Sequence, residues 1–116
     1  MIGEYANADF GRTIGRSAVG AENPWEHPQE FLERSPYFSI HRNHAPLLLL
    51  QAESDLRCPA GQTEILFAIL RSLGREVEMI RYPGESHLML ALGRPDRRVD
   101  RIERIVDWFE KHLKVE

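Results

Sequence analysis

The sequence predicts an α/β fold with a short parallel sheet, and three patterns support this prediction. An apolar run over residues 46–52 is followed by a helical pattern over 61–73 and by a second strand-like pattern over 76–82. A strand, a helix and a strand in this order form a βαβ unit, in which both strands are parallel. A last helical pattern covers residues 96–113. We therefore expect the carboxyl ends of the two strands to meet at one edge of the sheet.

The first strand is predicted from four consecutive leucines, Leu47 to Leu50, that follow Pro46. A half-buried strand would alternate apolar and polar residues, so this run indicates a strand buried on both faces. Polar residues follow directly, and Asp55 is among them. In open parallel sheets, functional groups gather beyond the carboxyl ends of the strands, which makes Asp55 a candidate site residue.

Both long helices are predicted from apolar stripes that we expect to face the core. Gly74 stands where a left-handed residue would close the first helix, and Asp96 is a candidate N-cap of the second. The stripe of the first helix contains Ile65, Leu66, Ile69, Leu70 and Leu73, and that of the second contains Val99, Ile102, Ile105, Val106, Phe109 and Leu113.

The chain is divided here into a loop-rich segment, residues 1–45, and a βαβα part, residues 46–116. The first 23 residues contain four glycines and show no sustained periodicity, so they are interpreted as a partly ordered loop. One short helix is predicted near residues 28–34, because Pro28 suits a first helical position and Ser35-Pro36 ends the pattern.

Composition excludes several classes of function. The 116 residues carry a formal charge of −3 with both signs interspersed, which argues against a nucleic-acid partner. No apolar run approaches the roughly 18 to 20 residues that cross a bilayer, so no membrane partner is expected. The single cysteine, Cys58, cannot form an internal disulfide, which agrees with a cytoplasmic location.

A histidine, His87, follows the second strand and is therefore expected at the same sheet edge as Asp55. An acid after one strand and a histidine on a later loop follow the order of the α/β-hydrolase triad, whose serine comes earlier in the chain. In such a triad the imidazole takes the serine proton, and the aspartate fixes the imidazole tautomer. The sequence thus predicts a partial α/β-hydrolase fold that carries an acid and a base.

Several longer motifs resemble the C-terminal end of the catalytic domain of prolyl-oligopeptidase-type serine peptidases, and the acylaminoacyl-peptidase-like branch in particular. The resemblance covers nearly the whole chain and is specific because the motifs occur together. The matching stretches are Asn7-Ala8-Asp9, Pro24-Trp25-Glu26, Ser35-Pro36, Pro46-Leu47-Leu48-Leu49-Leu50, Glu53-Ser54-Asp55-Leu56-Arg57-Cys58-Pro59, Gln62, Tyr82-Pro83-Gly84-Glu85-Ser86-His87 and Trp108-Phe109-Glu110-Lys111-His112-Leu113.

The resemblance implies that Asp55 and His87 are the triad acid and base, that no cofactor is needed, and that the substrates are peptides or acyl-peptides. The family nucleophile lies in G-x-S-x-G, and none of the serines here has that context; they are Ser17, Ser35, Ser39, Ser54, Ser72 and Ser86. We therefore expect the chain to begin after the nucleophile, to lack the oxyanion-hole donors, and to be inactive by itself.

Other interpretations accompany these predictions. Asp55 is also suited to capping backbone amides in a turn, Glu85 is interpreted as solvated, and Cys58 as a small packing residue. His41 and His44 form an H-x-x-H pair without a convincing third ligand, so no metal site is predicted. The outer edge of the leucine strand is expected to be open, which favours homo-oligomers. The alternative function is a non-catalytic, self-associating α/β module.

Overall fold

The computed structural model describes residues 2–113; the first residue of the predicted 1–45 segment and the last three of the 46–116 part lie outside this range. In chain order the helices and strands are α1 (Ile2–Asn7), α2 (Gly11–Ile14), α3 (Pro28–Glu33), β1 (Leu47–Ala52), α4 (Ala60–Ser72), β2 (Val77–Tyr82), α5 (Met89–Leu92) and α6 (Pro95–His112). A π-helical turn, Gly15–Val19, follows α2, and two 3-10 turns, Pro36–Phe38 and Ile40–Arg42, precede β1.

The sheet consists of β1 and β2, paired in parallel from Leu47 opposite Val77 to Ala52 opposite Tyr82. This pairing confirms the predicted βαβ unit, with each strand starting one residue later than predicted. Because the register is in phase, both strands end side by side. The loops that follow them, which carry Asp55 and His87, leave the same edge of the sheet.

The two long helices were predicted to within one residue at each end. Gly74 has a φ of +66°, the left-handed conformation expected of a residue that follows a helix C-terminus. The predicted N-cap of α6 is wrong, because Pro95 is already helical and Arg94 is the N-cap. Proline suits this first position, where its missing N–H costs no hydrogen bond. Asp96 lies in the first turn and binds the Arg94 guanidinium instead.

The loop predicted over the first 23 residues is wrong for most of residues 2–19, where α1, α2 and the π-helical turn are interrupted only by a turn at residues 8–10. The glycines in this segment allow close packing between helical turns. A Cβ atom at Gly11 would lie only 2.3 Å from the carbonyl oxygen of Tyr5. The Tyr5 ring in turn packs edge-to-face on fully buried Phe31, with ring centroids 5.5 Å apart. Tertiary packing of this kind leaves no periodic signal in so short a segment.

Much of the predicted core is exposed in residues 2–113. The four leucines of β1 are half-buried, not covered on both faces, because the described sheet contains only two strands. On α4 only Leu70 is fully buried, while Ile65 and Leu73 are exposed. Five of the six stripe residues on α6 are between 46% and 59% exposed: Val99, Ile102, Val106, Phe109 and Leu113. Within residues 2–113 no helix has the length and apolarity needed to cross a bilayer.

Candidate active site

Asp55 lies in a tight turn that begins where β1 ends. Its Oδ1 atom accepts hydrogen bonds from the backbone N–H groups of Arg57, at 2.9 Å, and of Cys58, at 2.7 Å. Aspartate favours such turns because its carboxylate can bind amides two or three residues later in the chain. The backbone-capping role considered for Asp55 is therefore present, but it occupies only one of the two carboxylate oxygens.

The second oxygen, Oδ2, lies 3.0 Å from Nδ1 of His87. The Asp55 side chain is 10% exposed and that of His87 is 47% exposed, so the acid is enclosed and the imidazole faces solvent on one side. The sequence leaves open whether the two residues meet, and the structure brings them together. When Nδ1–H donates to Asp55, Nε2 is left without a proton and can accept one.

Glu85 joins the two loops that carry Asp55 and His87. Its backbone carbonyl accepts a hydrogen bond from the Ser54 N–H at 2.9 Å, and its Oε1 accepts one from the Arg94 N–H at 3.2 Å. The residue is only 5% exposed, so its interpretation as solvated is wrong. A Cβ atom at Gly93 would lie 2.6 Å from Glu85 Oε2, which shows that the glycine provides room for the carboxylate.

The turn between α1 and α2 packs on the Asp55 loop. The Asp9 N–H donates to the Leu56 carbonyl at 2.8 Å, and Arg57 Nε donates to Asp9 Oδ1 at 2.8 Å. The same guanidinium lies 4.8 Å from the centre of the Phe10 ring. The sequence did not predict that these contacts support the site. Asp9 and Arg57 are 48 positions apart, and an ion pair between such distant positions leaves no periodic pattern in the sequence.

Cys58 is exposed, and its interpretation as a packing residue is wrong. Its Sγ atom lies 3.9 Å from Glu4 Oε1. Partial desolvation of the thiol, followed in importance by the charges of Asp55 and Glu4, raises the pKa of Cys58 above its ordinary value. Because the thiolate is the nucleophilic form, a raised pKa makes Cys58 a poor nucleophile at neutral pH.

Most serine hydroxyls of the chain make local hydrogen bonds. Ser17, Ser35, Ser39 and Ser72 each donate to a backbone carbonyl three or four residues earlier. The Ser86 hydroxyl accepts a hydrogen bond from the Leu88 N–H at 3.4 Å. These hydroxyls therefore serve the local backbone.

Residues 2–113 contain one group of at least three His, Cys, Asp or Glu side chains whose ligand atoms lie close enough together to hold a metal ion. It consists of Asp55, Cys58 and His87. The H-x-x-H pair does not belong to it, and His44 Nε2 instead lies 3.5 Å from an Arg75 guanidinium nitrogen.

Comparison with known proteins identifies the family to which this arrangement belongs. A sequence model of the prolyl oligopeptidase family matches residues 3–116. The chain belongs to the prolyl oligopeptidase family. An uncharacterized peptidase, YuxL, of Bacillus subtilis is 37% identical over 77% of the chain, and the acylamino-acid-releasing enzyme of Rattus norvegicus is 27% identical over 97% of it.

The fold of this prolyl oligopeptidase family member agrees with a solved relative. The acylaminoacyl peptidase of Pyrococcus horikoshii superimposes with a TM-score of 0.91 at 30% identity over 99% of the chain. The predicted partial α/β-hydrolase fold is thereby confirmed. The chain spans 18% of that protein and 14% of each of the two sequence relatives. The chain therefore matches a minor part of each relative.

Proposed function

We propose that this chain is the part of a serine hydrolase of the prolyl oligopeptidase family that supplies the acid and the base of the triad. The contact of 3.0 Å between Asp55 Oδ2 and His87 Nδ1 carries the proposal. Two backbone amides fix the other oxygen of Asp55, so the carboxylate is held in one orientation toward the imidazole. The names of the relatives favour acylated peptides as substrates.

In the proposed reaction, His87 Nε2 accepts the proton of a serine hydroxyl while the serine oxygen attacks the carbonyl carbon of the peptide bond. The enclosed carboxylate of Asp55 stabilises the imidazolium that forms. His87 then gives this proton to the leaving amine, and an acyl-serine ester remains. Water attacks the ester with His87 again as the base, which releases the acid and restores the serine.

The nucleophile of the proposed enzyme is a serine in G-x-S-x-G on a polypeptide segment outside these 116 residues, and the oxyanion-hole donors come with it. Removing one such donor alone lowers the turnover of a serine protease by about 10²–10³-fold. The 116 residues alone are therefore expected to be inactive. We also expect the complete enzyme to act in the cytoplasm, where the free thiol of Cys58 stays reduced.

Labelling by a fluorophosphonate tests this division of roles. The polypeptide that contains this chain is isolated from its natural source, labelled and analysed by mass spectrometry, in parallel with a His87→Ala version. We expect one phosphonylated serine outside the 116 residues, and loss of that label in His87→Ala. A His87-dependent label on any of the six serines of this chain would contradict the proposal. So would the absence of any label on the natural polypeptide.

The second candidate function is a non-catalytic, self-associating module, and the exposed apolar surface favours it. A groove between β1 and α6 is lined by Pro46, Leu47, Leu48, Leu50, Ile105, Trp108 and Phe109. Most of these side chains are half-buried, and Pro46 and Phe109 are exposed. Exposed apolar surface can bind other protein segments. The labelling experiment separates the two functions, because a self-associating module gives no label.

A further inference from the structure

Three different metal-ligand types surround one point at the sheet edge. Cys58 Sγ, one ring nitrogen of His87 and one carboxylate oxygen of Asp55 lie within 4.8 Å of one another. Thiolate, imidazole and carboxylate are the three side-chain groups that bind Zn²⁺ in proteins. A thiolate also favours a soft or borderline cation over Mg²⁺ and Ca²⁺, which prefer oxygen ligands alone.

We propose that Asp55, Cys58 and His87 form a binding site for Zn²⁺ with three protein ligands and one further position. This site shares Asp55 and His87 with the proposed acid and base function, but metal binding is a separate activity. Binding needs no nucleophile and no substrate. Its success or failure can therefore be separated from that of the proposed hydrolase.

The turn at Asp55 prepares the carboxylate for such a cation. Oδ1 is held by the N–H groups of Arg57 and Cys58, so Oδ2 is the oxygen that can bind a cation, which would replace its contact with His87 Nδ1. Hydrogen bonds to the non-ligating atoms of a metal ligand fix its orientation, and they are common around metal sites. The same turn places Cys58 three residues after Asp55, so both ligands are carried by one short loop.

The side chains need only a small movement to reach coordination distances. Tetrahedral Zn²⁺ with bonds of about 2.0–2.3 Å separates its ligand atoms by roughly 3.3–3.8 Å. The ligand atoms lie within 4.8 Å of one another, so the excess separation is at most about 1–1.5 Å. Cys58 and His87 are exposed, and rotation of their side chains can close this gap without moving buried residues.

Glu4 on α1 is positioned to assist binding. Its Oε1 atom lies 3.9 Å from Cys58 Sγ. Binding forms a Zn–S bond and breaks the S–H bond of Cys58, and the proton leaves through this carboxylate or directly to solvent. Glu4 also offers a carboxylate beside Cys58 for the fourth position, which is otherwise filled by water.

Titration of the full 116-residue chain, without an affinity tag, tests the site. Zn²⁺ is added in competition with a chromophoric chelator, and Co²⁺ is used as a spectroscopic substitute whose thiolate charge-transfer band reports a Co–S bond. We expect one cation per chain and at least a tenfold loss of affinity in Cys58→Ser and in His87→Ala. The charge-transfer band should be absent in Cys58→Ser.

The double variant His41→Ala/His44→Ala is the matched control, because it removes two histidines outside the group. We expect it to bind Zn²⁺ as the unmodified chain does. Asp55→Asn keeps an oxygen for the two backbone amides, so it should weaken binding while far-ultraviolet circular dichroism stays unchanged. Unchanged affinity in Cys58→Ser, loss of binding in the control, or no binding by the unmodified chain would each overturn the proposal.

Discussion

Asp55 shows how one side chain can serve two structural purposes. One carboxylate oxygen binds the amides of its own turn, and the other binds His87. The interpretation of Asp55 as a turn residue and its interpretation as a functional acid are therefore compatible. The turn holds the carboxylate at a fixed angle, which is what a triad acid needs to orient an imidazole.

Residue type and position in the chain were sufficient to predict Asp55 and His87 as a pair. Each follows a strand of a βαβ unit, and parallel strands end at one edge. The burial of Glu85 and the exposure of Cys58 could not be predicted in this way. Glu85 is buried where Gly93 leaves room for its carboxylate, and Cys58 is exposed. Both facts depend on loop geometry that has no pattern in the sequence.

At the scale of elements, α6 is attached to β2 by a hydrogen bond at the end of the strand that leads to His87. The Tyr82 hydroxyl donates to Asp100 Oδ2 at 2.9 Å, and the Tyr82 residue is only 3% exposed. Burial first, and then the hydrogen bond to the Asp100 carboxylate, raises the pKa of Tyr82 to about 12. The neutral hydroxyl is therefore the form that the folded protein favours.

We predict that Tyr82→Phe lowers the free energy of unfolding by about 1 kcal/mol at neutral pH, the usual contribution of one hydrogen bond. The folded-state pKa of Tyr82 is higher than its ordinary value, so its contribution is complete below about pH 10 and is lost as pH rises toward about 12. Urea unfolding at about pH 8 and about pH 11.5 measures this difference.

Tyr5→Phe is the control for this experiment, since the Tyr5 ring packs on Trp25 and Phe31 at a distance from α6. It should lose stability at alkaline pH to the same extent as the unmodified protein, whereas Tyr82→Phe should lose less. Equal alkaline losses in all three proteins would show that the link between Tyr82 and Asp100 does not stabilise the fold.

The elements differ in how far the sequence could predict them. β1, α4, β2 and α6 were predictable because each has a sustained apolar pattern or a clear end signal such as Gly74. The helical turns of residues 2–19 were not, because they are short and depend on contacts such as that of Tyr5 with Phe31. A helix of a few residues is unstable by itself and is formed by its packing partners.

At the scale of the whole molecule, the exposed groove between β1 and α6 is the main departure from an ordinary α/β domain. The predicted stripes of α4 and α6 have the correct periodicity, but in residues 2–113 they are only partly covered. A sequence pattern indicates which face of a helix is apolar. It does not indicate which segment of protein covers that face.

We predict that the isolated chain forms dimers or larger oligomers through this groove and the adjacent edge of β1. Phe109→Glu places a charge in the groove and should shift the population toward monomers. Leu92→Glu is the control, because Leu92 is 77% exposed and lies outside the residues that line the groove. Sedimentation velocity over a range of concentrations measures the distribution.

A monomer at high concentration would contradict this prediction. Equal effects of Phe109→Glu and Leu92→Glu would contradict it as well, because the association would then not depend on the groove.

The measurement that tests the central claim most directly is nitrogen-15 NMR of the His87 imidazole, recorded with a chelator present. The claim is that His87 Nδ1–H donates to Asp55, which leaves Nε2 free to accept a proton. Among the neutral rings, the account predicts protonation on Nδ1 in the unmodified chain, and a changed tautomer ratio in Asp55→Asn. A ring protonated on Nε2, with the same spectrum in Asp55→Asn, would contradict it.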